Sequence, residues 1–401
     1  MYPVAIYTLT SSLHDESSVS AITDRFLGDI FPEGGYDYRG SDFTLFGDHP
    51  ADLIFVRTGG TEGIFREILP GLLDAGIRRF NLLTSGKSNS LAASMEILSY
   101  LRRQGLQGEI LHGKPGLVRE RIEGLVRVEE ALERLRSTCL GVIGKPSDWL
   151  IASGTDYQNV YDRLGIWLED IPMEELLDAI RGVPPGDSLP EKECASEVRA
   201  AWHGAVRIHE ALKTLIVNHN LQGLTLRCFD LLGAVGNTGC LALARLNAEG
   251  IPAGCEGDIP ALLTMTIALA ATGYTGFQAN PSRIDPETGE IVLAHCTVPL
   301  NLVTDYGLDT HFESGIGVGI RGRLPEGPVT VFKVSGDLEC SFIAEGELVR
   351  NLSEPDLCRT QVVVRLDPSD TAYFLHDPIG NHHIVLPGRR KALLSAILKR
   401  I

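Results

Sequence analysis

The sequence predicts an α/β protein: two doubly wound parallel-sheet (Rossmann-like) domains followed by an antiparallel β-rich C-terminal domain. Three observations carry this expectation. Strand-like and helix-like segments alternate through the first 137 residues, which is the pattern of a parallel sheet with crossover helices. The alternation restarts near residue 138. After about residue 273 helical periodicity stops and hairpin signals dominate. The expected domains are 1–137, 138–272 and 273–401.

Each element follows from its residues. "PVAIYTL" (3–9) and "ADLIFVRTGG" (51–60) are apolar, β-rich runs, and residues 17–31 between them have helical spacing. "RFNLLTS" is a strand. The helix over 88–105 is signalled by Ser88 or Asn89 as cap and Gly105 as stop. "GEILHG" adds another strand. The charged, amphipathic stretch that follows reads as the link to the second unit. There, "TCLGVIGKPSDWLIASG" (138–154) is a strand entering a glycine-containing loop. Helices are expected at "YQNVYDRLG", at "MEELLDAIRG" and along the long stretch ending near residue 220, with "VPPGDSLP" as a loop. "GLTLRCFDLL" reads as a strand and "GCLALARLNAEG" as a helix. Beyond 273 come "YTGFQAN", "EIVLAHCTV", "VTVFKVSG", "ECSFIAEGELV" and "QVVVRL", all strands, and a short helix closes the chain.

Composition narrows the function. The net charge of −16 argues against nucleic acid or an anionic membrane as partner, since both attract basic surfaces. The N-terminus lacks the basic and apolar regions of a signal peptide, and no apolar run is long enough for a membrane span. The eight cysteines show neither C-x-x-C nor zinc-ligand spacing. A cytoplasmic protein with reduced thiols is expected. The loops "TGGTEG" (58–63) and "GVIGKPS" (141–147) follow strands, where open α/β sheets bind ligands, yet neither matches a dinucleotide or phosphate-loop motif.

The chemistry concentrates in "CEGDIPALLTM" (255–265). Glu256 and Asp258 stand at the mouth of a nearly unbroken apolar helix, and a buried charge must be paired, hydrogen-bonded or metal-bound. Asp258 suits an N-cap, with Pro260 in the first turn. Capping does not explain Glu256, which lies outside the helix; the helix dipole or a bound cation would. A hairpin adds further donors. If Asp285 pairs with Glu290 across "PETG", an unbroken ladder sets Asn280 opposite His295, unless Pro281 and Ser282 introduce a bulge. In "GNHHIVLPG" (380–388), His382 and His383 lead a strand and must point to opposite faces. His311 in "THFES" is either a polar group near a ligand or a surface histidine at a strand end.

These motifs together resemble the L-fucose/L-arabinose isomerase superfamily, especially its shorter fucose-isomerase-like members. The resemblance is carried by "CEGDIPALLTM", "GFQANPSRIDPE", "IVLAHC", "THFESGIGVGI" and "GNHHIVLPG". Weaker matches lie at 89–105 and 144–153. It implies a metal-dependent aldose–ketose isomerase that moves a proton between C1 and C2 through an enediol. A divalent metal, usually Mn²⁺, would be held by Glu256, position 280 and a histidine, His382 in fucose-isomerase types, with His295 used as well in arabinose-isomerase types. Glu256 would double as the base, with Asp258 in reserve. His311, Asn89, Ser90 and His383 are the candidate substrate-binding residues. The family also implies homo-oligomers. Position 280 is acidic in the family and Asn280 here, an amide that can ligate a cation but cannot accept a proton. The rival expectation is a diverged, non-catalytic sugar-binding relative with a weakened metal site.

Overall fold

The computed structural model describes residues 2–186 and 189–401, and divides into two compact units, Met1–Glu130 and Ala131–Ile401. Residues 187 and 188 of the expected loop lie outside the described residues. The fold is α/β, with two parallel sheets and an antiparallel barrel.

In the first unit, strands β1 (Val4–Leu9), β2 (Asp37–Gly40), β3 (Ala51–Val56), β4 (Arg79–Leu83) and β5 (Gln107–Leu111) form one sheet in the order β2-β1-β3-β4-β5. Every pairing in it is parallel. Helices α1 (Glu16–Ile30), α2 (Glu62–Asp74) and α3 (Ser90–Arg103) connect the strands, and α4 (Pro115–Arg136) contains the unit boundary. β1 and β3 are buried at every position, which is why they read as continuous apolar runs. Strand β2, "DYRG", carries no apolar signal and escaped the sequence analysis.

The second unit opens with a four-stranded parallel sheet in the order β7-β6-β8-β9. Its strands are β6 (Cys139–Ile143), β7 (Trp167–Ile171), β8 (Gly223–Leu226) and β9 (Ala253–Cys255). Between them lie α5 (Tyr157–Leu164), α6 (Met173–Gly182), α7 (Ser196–Asn218), α8 (Asp230–Val235) and α9 (Cys240–Ala248). The expected strand "GLTLRCFDLL" therefore stops at Leu226, and its second half is helical. Helix α10 (Ile259–Thr272) is buried on every side from Ile259 through Ala268, because it packs against β8 and β9 and also against strands of the barrel.

The rest of the unit is β10 (Phe277–Asp285), β11 (Glu290–His295), β12 (Asp305–Asp309), β13 (Gly319–Arg323), β14 (Gly327–Val334), β15 (Ser341–Asn351), β16 (Thr360–Arg365) and β17 (His383–Pro387). Six of these close a barrel in the order β10-β11-β16-β15-β14-β17, while β12 and β13 pair separately. The alternating residues Phe277, Ala279, Ile291, Leu293, Val329, Val331, Val362, Val364 and Val385 fill it as one apolar cluster. One expectation fails here. A helix, α11 (Pro368–His376), interrupts the β region, capped by Asp367 with Pro368 in its first turn. That Asp-Pro pair is a helix-start signal that the hairpin pattern masked. The terminal helix α12 (Lys391–Leu398) is present as expected. Among the described residues no helix is long and apolar enough to cross a membrane.

Candidate functional site

The C-terminal ends of β6, β8 and β9 converge where the chain reverses direction across the second sheet, which is where open α/β sheets bind ligands. β9 is only three residues long and is pinned by the barrel: the Cys255 N–H donates to Gln278 Oε1 at 2.8 Å. The next residue, Glu256, has a left-handed backbone, φ +65°. For a glutamate that conformation costs roughly 1–3 kcal/mol. Gly257 follows at φ +70°, where a Cβ would lie 2.4 Å from the Lys145 carbonyl, so only glycine fits. Asp258 then caps α10, its Oδ1 accepting from the Ala261 N–H at 2.8 Å. The turn therefore presents Glu256 outward and turns Asp258 inward.

Two histidines of the barrel face Glu256. His382 Nε2 lies 3.4 Å and His295 Nε2 4.0 Å from Glu256 Oε1. One ligand atom from each of the three residues falls within 4.8 Å of the others. Each imidazole is oriented from behind. The Nδ1–H of His382 donates to Asp258 Oδ2 at 2.8 Å, and His295 Nδ1 sits 2.9 Å from the Thr297 hydroxyl. With Nδ1 of His382 committed to a carboxylate, Nε2 is left facing Glu256, buried and without a well-aligned hydrogen-bond partner.

The electrostatics follow from this packing. Burial raises the Glu256 carboxyl, but His382, His295 and the Trp149 N–H outweigh it and hold it at about 2. Burial, reinforced by the charge of His382, pushes His295 down to about 3, so it is a neutral donor. Burial also pulls His382 down, yet Asp258 and Glu256 together raise it to about 9. Glu256 and His382 thus stand as opposite charges 3.4 Å apart.

Trp149 was not singled out from the sequence. Its indole N–H donates to Glu256 Oε2 at 2.6 Å, while the side chain stays half-exposed. It reaches there because the loop after β6 is tied down. Ser147 N–H donates to the Glu256 carbonyl, and Arg227 after β8 donates to the Pro146 carbonyl and to Asp148. Trp149 packs edge-on against Phe229, and Phe229 against His311. His311 is lowered chiefly by burial and by Arg359, with Glu256 opposing, which places it within electrostatic reach of the cluster.

The expected pairing of Asn280 with His295 is wrong. Asp285 does oppose Glu290, but the register shifts between Pro281 and Arg283, and Asn280 opposes Ala294. Pro281 has no N–H for the ladder and Ser282 is the extra, bulged residue. Asn280 belongs instead beside β17. The ladder pairs Gln278 with Ile384 and Ala279 with His383, and Asn280 follows directly on that paired segment. Its Oδ1 accepts from Asn381 Nδ2 at 3.1 Å. His295 nevertheless arrives at Glu256, because it closes β11.

His383 points the other way from His382. It is wholly buried among Phe342, Tyr373 and Phe374, with Nε2 3.1 Å from the Tyr373 hydroxyl and Nδ1 3.0 Å from the Asn381 carbonyl. In the first unit, Asn89 begins α3 at φ +58° and makes no side-chain cap bond, so the expected capping does not occur. Ser90 is buried and its hydroxyl accepts from Thr84 at 2.7 Å.

No family model matches the chain. Among curated proteins it is similar to a sulfoquinovose isomerase of Alkalicoccus urumqiensis, 26% identical over 274 residues, covering 65% of this chain and 60% of that one. A sulfoquinovose isomerase of Clostridium sp. (strain MSTE9) is 26% identical over 322 residues, 73% of this chain and 68% of its own length. The matched region thus spans about two thirds or less of the first relative's length.

Proposed function

We propose that this protein is a metal-dependent isomerase that interconverts an aldose and a ketose. The observation that carries the proposal is the convergence of Glu256, His295 and His382, with the buried Nε2 of His382 left without a hydrogen-bond partner. The similarity to two sulfoquinovose isomerases supports a sugar as substrate. One carboxylate and two imidazoles suit a divalent transition ion such as Mn²⁺ and leave coordination positions open. When bound, that ion would act as a Lewis acid on adjacent sugar oxygens.

The chain's own residues divide the remaining roles. Glu256 is the only one of the two motif carboxylates presented to a ligand, and it is assigned the proton transfer between C1 and C2. Asp258, wholly buried and hydrogen-bonded through both oxygens, acts through His382 rather than on substrate. Asn280, bonded to Asn381 just before His382, is proposed as a neutral fourth donor. Trp149 and Phe229 offer aromatic faces to the sugar ring, with His311 at their edge. The rival reading, a sugar-binding relative without catalysis, has Asn280 in its favour, an amide where the resemblance implies a carboxylate.

Titration of Mn²⁺ into purified protein, followed by screening of aldoses for ketose formation with sulfoquinovose among them, separates the two. The isomerase reading expects about one ion per chain and a metal-dependent product. Absence of binding would overturn it.

A further inference from the structure

We propose that Lys333 is a positioning residue for this centre: its ammonium holds the Asp258 carboxylate, and through it the His382 imidazole, in the orientation that turns Nε2 toward Glu256. The inference rests on the metal-centre reading above and assigns a role to a residue that neither touches the three donors nor lies near them in sequence.

Lys333 sits next to the end of β14, on the same inward row as Val329 and Val331. An aliphatic residue would continue that row. Instead the row ends in a cation that is 0% exposed, its Nζ 3.8 Å from Asp258 Oδ2, which is equally buried. Nζ has no hydrogen-bond partner among the described residues, so the ion pair with Asp258 is the contact that meets its charge. Burying two charges costs several kcal/mol of desolvation, and a well-packed apolar pair is commonly as stable or more so. Stability alone therefore does not account for the pair.

The geometry does. Asp258 Oδ1 is fixed by the Ala261 N–H, and Oδ2 is shared by His382 Nδ1 and Lys333. Two hydrogen bonds, from α10 and from the residue before β17, and the ion pair to β14 restrict the carboxylate. A carboxylate so fixed dictates the plane of the imidazole and the identity of the nitrogen left facing Glu256. Partners of this kind behind a metal-ligating histidine change metal affinity by 10–100-fold.

Three proteins test this: wild type, Lys333→Met and the double variant Lys333→Met/Asp258→Asn. Each is measured metal-free for thermal stability and for the His382 Nδ1–H proton resonance, then titrated calorimetrically with Mn²⁺. Lys333→Met should bind Mn²⁺ about 10–100-fold more weakly, with the Nδ1–H resonance displaced or lost to exchange. The double variant removes both charges and should recover thermal stability without recovering affinity. If Lys333→Met does not fold, Lys333→Gln, which keeps a donor toward Asp258 without the charge, replaces it with the same expectations.

Affinity within twofold of wild type together with an unmoved resonance would overturn the proposal. So would a double variant that regains affinity along with stability, since Lys333 would then serve only as counter-charge. If the wild type binds no Mn²⁺, the metal-centre reading fails, and the resonance still decides whether Lys333 orients His382.

Discussion

The two parallel sheets end in loops of similar polarity but different donor sets. At the carboxyl ends of β1, β3 and β4, the buried hydroxyls satisfy one another. Thr58 accepts from the Ser11 N–H, Thr61 donates to the Thr58 carbonyl, and Thr84 donates to Ser90. Arg57 is buried yet bonded to Thr10, Glu16, Ser20 and Thr23. At the carboxyl ends of β6, β8 and β9, Glu256 faces two imidazoles and one nitrogen is left without a partner. Both edges also hold non-glycine residues at positive φ, namely Ser88 and Asn89 in one and Lys145 and Glu256 in the other. Polarity at a sheet edge is therefore no guide to a site. Unfinished hydrogen bonding alone is none either, since His14 Nδ1, in the loop after β1, also lacks a partner; what marks the second edge is the convergence of Glu256, His295 and His382 within 4.8 Å.

The contrast breaks most sharply at Glu256. Glu256→Gln removes the only negative charge among the three donors. Mn²⁺ affinity should fall at least about 100-fold, more than loss of a supporting partner would cause, and turnover by about 10²–10⁴-fold. Calorimetric titration and a ketose assay check both. The adjacent histidines give the next test. His382→Ala should abolish metal binding with a modest effect on folding. His383→Ala should leave Mn²⁺ affinity within a few-fold but cost about 3 kcal/mol in stability, measured by denaturant unfolding, since it opens a hole among Phe342, Tyr373 and Phe374. Equal effects of the two substitutions would contradict the opposed faces of β17.

How much of this was legible in the sequence depends on the range of the signal. The cap at Asp258 was readable because its residues are adjacent, and the apolar run of α10 reflects burial on all sides. Glu256, His295 and His382 were named together through resemblance, whereas the hairpin geometry offered for them was displaced by the bulge at Ser282. A one-residue bulge leaves no mark in a hydrophobic pattern. Strands β2, β7 and β9 were missed because three to five residues carry too little periodicity. Trp149 and Lys333 reach the site only through long-range packing. Each still left a trace: an exposed tryptophan in a loop after a strand, and one charge inside the apolar run "VTVFKVSG".

Smaller effects sharpen the comparison. Trp149→Phe keeps the packing on Phe229 and removes only the N–H bonded to Glu256. A hydrogen bond to a charged group contributes about 1.5–3 kcal/mol when buried. Trp149 is half-exposed, so a loss of about 1 kcal/mol, or roughly fivefold in Mn²⁺ affinity, is expected with thermal stability unchanged. At the β7 edge of the second sheet, His219 bridges Glu169 and Glu175 at 2.7 and 2.6 Å, bonds that raise its pKa. A raised folded-state pKa means this stabilisation is complete below the unfolded value near 6.5 and is lost as pH climbs through the folded value. Both carboxylates are about a third or more exposed, so the Tm difference between wild type and His219→Gln should shrink by only about 1–2 °C across that rise. A difference that widened toward high pH would contradict the bridge.

The smallest effect returns to the first edge. Asn89 is exposed, sits at φ +58° and makes no cap hydrogen bond, so its side chain contributes little to the start of α3. Asparagine tolerates the left-handed region better than most residues, and glycine enters it without steric cost. Asn89→Gly should therefore leave stability unchanged or raise it by up to about 0.5 kcal/mol, the relief of local strain being partly offset by the greater freedom of glycine in the unfolded chain. The same substitution at Ser88, φ +51°, should behave alike. Chemical denaturation of the two variants measures this directly. A loss of more than about 1 kcal/mol in Asn89→Gly would exceed the backbone terms. It would show that the Asn89 side chain holds a partner at this edge.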